Sequence, residues 1–303
     1  MTQDHSAARR PFGQLVTAMV SPFAADGSLD LDGAQRLATH LVDDQGNDTL
    51  VINGTAGEAP TTTDGEKEAL VRAAVEAVGD RAKIVAGVGT NDTRHTIELA
   101  TAAEKAGAHG LLVVSPYYNR PPQEGLFRHF TAVADSTGLP VLLYDIPART
   151  GVAIATETLV RLADHERIVG VKDAKCDLTA TSWVLRRTDL AFYCGDDATT
   201  LPMLAVGAVG VIGTSTHFIG PPTKDMIQAH ARGDVAGALA LHQRLLPLFT
   251  GIFRTQGTIL VKAGLATLGL PAGPVRPPLV DATPEEVAQL RTDAAASGLE
   301  LPA

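Results

Sequence analysis

The stretch Pro140–Lys175, PVLLYDIPARTGVAIATETLVRLADHERIVGVKDAK, contains one complete strand–helix–strand unit. Pro140–Ile146 is an apolar run closed by a tyrosine and an acid, and Arg167–Lys172 is a second such run that ends in a lysine. Thr156–Ala163, between them, has amphipathic helical spacing. Near-continuous apolar strands suit a parallel sheet covered on both faces, and parallel neighbours need a helical crossover.

The same unit recurs in both directions. Further strand-like runs lie at Gln14–Val20, Thr49–Asn53, Lys83–Val88, Gly110–Ser115, Leu190–Gly195 and Gly210–Ser215, which makes eight. Helical segments alternate with them at Asp32–Asp44, Asp64–Val78, Thr93–Ala106, Gln123–Ser136, Leu178–Arg187, Thr199–Val206 and Pro222–Ala231. The second of these opens on Thr63 with Glu66 three residues on, a capping-box pattern. Eight βα units with right-handed crossovers predict an α/β protein, a (β/α)8 TIM barrel. A doubly wound open sheet is the competing fold, but no GxGxxG follows the first strand. After Gly233 three helices follow without strands, so the expected organisation is a loose tail over 1–12, a catalytic barrel over 13–232 and a three-helix C-terminal appendix over 233–303.

Bulk properties narrow the function. Of the 303 residues 45% are apolar and 19% charged, ordinary for an enzyme with a large core. A net charge of −9 argues against a nucleic-acid or anionic-membrane partner. Cys176 and Cys194 form no CxxC pair or metal-ligand set, and are expected as free thiols in a reducing cytoplasm. The start has no apolar signal-peptide core, and no apolar run is long enough to span a bilayer.

In a (β/α)8 barrel the active site lies at the carboxyl ends of the strands. Of seven lysines, Lys67 and Lys105 fall within helices, Lys83 begins a strand, Lys224 belongs to the eighth helix and Lys262 to the appendix. Lys172 alone ends a strand on the site side, with Lys175 just beyond it. A buried ion pair with Asp173 or Asp196 is one reading. The other is a Schiff-base lysine, whose amine becomes nucleophilic where apolar surroundings disfavour the charged form. Such an amine needs hydroxyls to carry protons, and Tyr144, Thr55, Tyr117 and Tyr118 all follow strand ends. Separately, each has a structural reading as a core tyrosine, turn residue or interface aromatic; together they converge on one barrel mouth. Arg149, in the loop after the fifth strand, offers a fork for a carboxylate, with a plain surface arginine as the alternative. The Gly54–Gly57 turn brings backbone amides within reach of a small anion.

These residues sit within GTAGEAPTTTDGE, PYYNRPPQEGL, LYDIPARTG, VGVKDAK and GDDATTLPMLAVGAVGVI. Five motifs in order resemble the pyruvate-dependent class I lyases, the dihydrodipicolinate synthase and N-acetylneuraminate lyase family, from about Gly13 to Leu290. The resemblance is nearer to the synthase branch. It implies that Lys172 forms an imine with pyruvate, without a cofactor or metal, and that Tyr144 shuttles protons. It implies that Thr55 links Tyr144 to Tyr118, which reaches into a neighbouring subunit, so that a homodimer at least, commonly a homotetramer, is expected. Arg149 is implied to bind the carboxylate of aspartate semialdehyde, and Ala56, Gly195 and Ile212 to line the substrate pocket. The reaction implied is the first committed condensation of lysine and diaminopimelate biosynthesis.

Two departures qualify this. Synthases of the family usually carry a second threonine where Ala56 stands, and losing one hydrogen bond to a charged group costs on the order of 1.5–3 kcal/mol. The stretch VIGTS also differs from the usual pattern. A lyase or dehydratase acting on a 2-keto sugar acid, and a degenerate non-catalytic paralogue, are therefore the alternatives. Where the family's lysine-feedback site uses histidines and an acid, this chain has Asp64, Lys67 and His95, which implies weak or absent inhibition by lysine.

Overall fold

The computed structural model describes residues 10–302. Eight strands run β1 (Leu15–Ala18), β2 (Thr49–Ile52), β3 (Lys83–Gly87), β4 (Gly110–Val114), β5 (Val141–Asp145), β6 (Ile168–Asp173), β7 (Ala191–Cys194) and β8 (Gly210–Gly213). All neighbours pair in parallel, and β1 pairs with β8 through Leu15↔Val211 and Val16↔Ile212, which closes the barrel. β1, β2, β5, β7 and β8 are buried at every residue, as near-continuous Val, Ile and Leu runs require when both faces are covered. The open-sheet alternative is thereby excluded.

The helices between strands are α1 (Leu31–Asp43), α2 (Asp64–Val78), α3 (Thr93–Lys105), α4 (Gln123–Asp135), α5 (Pro147–Thr150), α6 (Thr156–Leu162), α7 (Leu178–Leu185), α8 (Thr200–Ala205) and α9 (Gly220–Ala231). α10 (Val235–Gly251), α11 (Gly257–Thr267) and α12 (Pro284–Ala296) follow the last strand. The expected capping box is formed: Thr63 Oγ1 accepts from the Glu66 amide and Glu66 accepts from the Thr63 amide. α5 departs from the sequence reading, which placed Arg149 in a loop. Pro147 supplies a fixed φ at the first helical turn and Gly151, at φ 74°, ends it after one turn.

Of the proposed tail, residues 1–9 lie outside the described residues. Phe12 is buried and plugs the amino end of the barrel. Its amide donates to the Tyr193 hydroxyl (3.1 Å), and its carbonyl accepts from the Thr49 hydroxyl (2.8 Å). Gly110 makes room for it: a Cβ there would lie 2.5 Å from the Phe12 ring. No helix among the described residues is long and apolar enough to cross a membrane.

One buried histidine ties the carboxyl ends of β1 and β8 together. His217 is fully buried; its Nε2 accepts from the Val20 amide (3.2 Å), so its Nδ1–H donates to the Thr214 carbonyl (2.7 Å). Burial pushes its pKa down to about 4, and His129 is held at about 4 for the same reason. Unfolded histidine takes up its proton near pH 6.5 and the folded groups only near 4, so across that window acid favours the unfolded chain. Each group then accounts for about 3 kcal/mol of stability at neutral pH that is lost by pH 4. Asp145 opposes this below pH 6, since burial raises its pKa to about 6 and the folded chain protonates it first. We predict that the loss of stability between pH 7 and pH 5, measured by chemical denaturation, is smaller in His217→Gln by about 2 kcal/mol. An unchanged difference between the two pH values contradicts this assignment.

Candidate active site

Parallel pairing of β5 with β6 sets Tyr144 directly opposite Lys172 at the carboxyl end of the barrel. Both side chains are 5% exposed. The Lys172 amine lies over the Tyr144 ring, 4.4 Å from its centroid. Among the described residues it makes no ion pair, so the buried-pair reading with Asp173 or Asp196 is not realised. Asp173 instead accepts from the Lys175 and Cys176 amides (2.8 and 3.0 Å) and the Thr181 hydroxyl (2.7 Å). Asp196 accepts from the Thr199 amide and hydroxyl (3.0 and 2.9 Å).

Two further carboxylates flank the lysine, and both are engaged elsewhere. Asp145 is buried and meets Lys175 at 3.2 Å. Asp197, whose pKa burial raises, accepts from the Thr214 amide (3.1 Å) and the Ser215 hydroxyl (2.8 Å), which fixes the loop after β8. Gly213 permits this approach, since a Cβ there would meet Asp197 at 2.4 Å.

A cavity of about 600 Å3 opens beside Tyr144, and Thr55, Tyr117, Tyr118, Tyr144 and Arg149 all line it, whereas Lys172 is not among its lining residues. Arg149, exposed on α5, makes no ion pair among the described residues. Tyr118 is 90% exposed, with a left-handed backbone at φ 72°. Asp64, Lys67 and His95 line the same cavity from its far side. Asp64 there bonds His95 at 2.9 Å and the Lys67 amine donates to the Thr62 carbonyl.

Ala56, Gly195 and Ile212 lie outside that lining. Ile212 is buried within β8. Gly195 backs onto the lysine: a Cβ there would sit 3.1 Å from Lys172 Cγ and 3.0 Å from the Ala174 Cβ. Ala56 is buried in the loop after β2, where the Ala56 and Gly57 carbonyls are tied while the N–H groups of the same two residues are not. The Gly57 carbonyl accepts from the Ser21 hydroxyl (2.7 Å) and the Ala56 carbonyl from the Thr258 hydroxyl (3.1 Å). Among the described residues the Ala56 and Gly57 N–H groups find no acceptor, although both residues are buried. Unpaired buried amides of this kind are rare in folded proteins and point to a ligand acceptor.

Sequence reasoning missed Ser21, Glu58, Asp197, Thr258 and Lys262. Glu58 and Lys262 form a buried ion pair at 2.6 Å, although the lysine was assigned to the appendix. Nothing local marks these residues, because each acts on a segment remote in the chain.

A model of the dihydrodipicolinate synthetase family matches residues 11–297. A 4-hydroxy-tetrahydrodipicolinate synthase of Acidothermus cellulolyticus is 72% identical over 288 residues, 95% of this chain and 93% of that protein. A second, from Streptomyces coelicolor, is 64% identical over 98% of this chain and 99% of its own. Among solved structures, a dihydrodipicolinate synthase of Bacillus anthracis superposes with a TM-score of 0.91 at 40% identity, covering 94% of this chain and 98% of that one. One from Cyanidioschyzon merolae with lysine bound gives 0.93 at 40% identity, covering 95% and 99%. With the barrel, the lysine–tyrosine pair and these relatives in agreement, the chain belongs to the dihydrodipicolinate synthetase family.

Proposed function

We propose that the chain condenses pyruvate with aspartate semialdehyde, as a Schiff-base lyase. The observation that carries this reading is the buried Lys172 amine lying over the Tyr144 ring with no ion pair among the described residues, its charge felt by Asp197 but not bonded to it. Buried at the strand ends and facing the Tyr144 ring, the amine is placed to attack a carbonyl entering the barrel mouth.

The Lys172 amine adds to the keto carbon of pyruvate, and loss of water gives the imine. The protonated imine withdraws electrons, so a methyl proton leaves and an enamine forms. That carbon attacks the aldehyde of the second substrate. The amino group of aspartate semialdehyde then adds to the imine carbon, closes the ring and releases Lys172. Tyr144, in contact with the amine, moves protons at the imine, with Thr55 and Tyr118 extending the relay. The pyruvate carboxylate is held by the free Ala56 and Gly57 amides, which matters more here because Ala56 brings no hydroxyl. Arg149, free of protein carboxylates, takes the carboxylate of aspartate semialdehyde in a bidentate fork. Gly195 and Ile212 shape the wall behind the adduct. The imine uses the substrate itself, so no cofactor enters.

Tyr118 is offered outward from its own chain, and we read it as completing the site of a second copy. A homodimer at least, built in this family into tetramers, follows from that reading.

Four outcomes test the reading. Borohydride added with pyruvate should trap one pyruvate-derived unit, seen by intact mass, and Lys172→Ala should trap none. A coupled assay with aspartate semialdehyde should show turnover; turnover only with a keto-sugar acid refutes the choice of acceptor. Gly195→Ala crowds the Lys172 stem, and because misplacing a reacting group by about 1 Å can cost about a hundredfold, kcat should fall about tenfold to a hundredfold in a folded protein. A wild-type kcat there removes Gly195 from the site. Lysine should inhibit weakly or not at all, since the tethered Lys67 ammonium stands where a cationic effector would sit. An inhibition constant in the micromolar range contradicts this.

A further inference from the structure

The C-terminal helix α11 reaches the barrel mouth by an unexpected route. Its residues Thr258 and Lys262 are four apart and so share one face of the helix. Both are buried, and both touch the loop after β2. Thr258 donates to the Ala56 carbonyl (3.1 Å) and Lys262 pairs with Glu58 at 2.6 Å. Ser21 holds the Gly57 carbonyl between them (2.7 Å). Three consecutive residues of the loop are thereby tied, two of them by α11.

Both partners of the ion pair make further contacts. Lys262 also donates to the Pro274 carbonyl (2.8 Å) and lies 4.1 Å from the Phe23 ring centroid. The second Glu58 oxygen accepts from the Arg276 amide (2.8 Å). Glu58 has a left-handed backbone, φ 55°, which a residue with a side chain adopts only when its surroundings hold it there. Lys262 and Arg276 hold it from opposite ends of its carboxylate. Removing either tie leaves the strained residue free to relax, and the Ala56 amide two residues before it moves in consequence.

We propose that Lys262, Glu58 and Thr258 are positioning residues for pyruvate: they fix the loop whose amides hold its carboxylate, and α11 is thereby part of the active site's support. The inference rests on the Schiff-base reading above and on the amides' assigned role. It also gives Ala56 a physical context. With no side-chain hydroxyl to adapt to the substrate, the carboxylate depends on where the backbone is held.

The test measures the pyruvate concentration for half-maximal borohydride trapping, together with KM for both substrates, kcat and the thermal midpoint. Thr258→Val keeps the side-chain shape and removes one tie; half-saturation by pyruvate should rise about threefold to tenfold, with KM for aspartate semialdehyde near its wild-type value. Lys262→Met leaves the buried Glu58 charge without its ion-pair partner, so both pyruvate binding and the thermal midpoint should fall. Adding Glu58→Gln to Lys262→Met removes that lone charge. The double variant should recover thermal stability and keep the raised pyruvate requirement, a combination that a purely structural role does not produce. Variants that lose stability yet trap pyruvate at wild-type concentrations overturn the proposal. A wild-type chain that traps no pyruvate at all removes the Schiff-base reading, and the proposal with it.

Discussion

The proposed chemistry depends on keeping one buried amine, that of Lys172, out of ion pairs with the carboxylates around it among the described residues. Four acids surround the carboxyl ends of β5 to β8, and each is engaged by another group. Asp145 is committed to Lys175, Asp173 to two backbone amides and Thr181, Asp196 to the cap of the following turn, and Asp197 to the loop after β8. What remains in contact with Lys172 is the face of Tyr144 and the stem space left by Gly195. A ring face attracts a cation, but far less strongly than a buried carboxylate does. In the proposed reaction the same ring carries the hydroxyl that moves protons at the amine.

Closure of the barrel makes that arrangement possible. These acids sit at three strand ends, Asp145 on β5, Asp173 on β6 and both Asp196 and Asp197 after β7, and parallel register places the strand ends side by side. An open sheet of the same strands would leave edge residues facing water, where neither the dry amine nor the locked acids would persist. The substrate side is built differently. On the reading proposed here it consists of loop amides, an exposed arginine and a tyrosine projecting outward, groups that no acceptor or carboxylate among the described residues takes.

The barrel was legible in the sequence because its strands are short apolar runs and its helices carry caps such as Thr63 with Glu66, both local signals. The strand-end position of Lys172 was legible for the opposite reason: a lysine closing an apolar strand violates the local pattern, and such violations single out candidate sites. Arg149 was placed correctly near the site but on the wrong element, because a single helical turn starting at Pro147 looks like a loop. Lys262 was passed over since nothing around it in VKAGLATLG distinguishes a buried partner from a solvated helix lysine. Its meaning comes from Glu58, brought near by folding. Phe12 was read as tail because one aromatic beside Pro11 carries no period; its burial depends on the gap left at Gly110.

A buried ion pair such as Glu58–Lys262 is weak evidence for stability, since desolvating two charges offsets most of their attraction and apolar replacements are often neutral or stabilising. What such a pair supplies is direction. An apolar contact between α11 and the loop would tolerate a shift of an ångström, whereas a carboxylate with one oxygen on an ammonium and the other on an amide has one orientation. Pyruvate is a small ligand with a carboxylate, a carbonyl and a methyl group, too few handles to correct a misplaced loop by its own binding energy. The loop must be held in place before the substrate arrives, and in this fold the cheapest rigid body near enough to hold it is a helix beyond the last strand of the barrel.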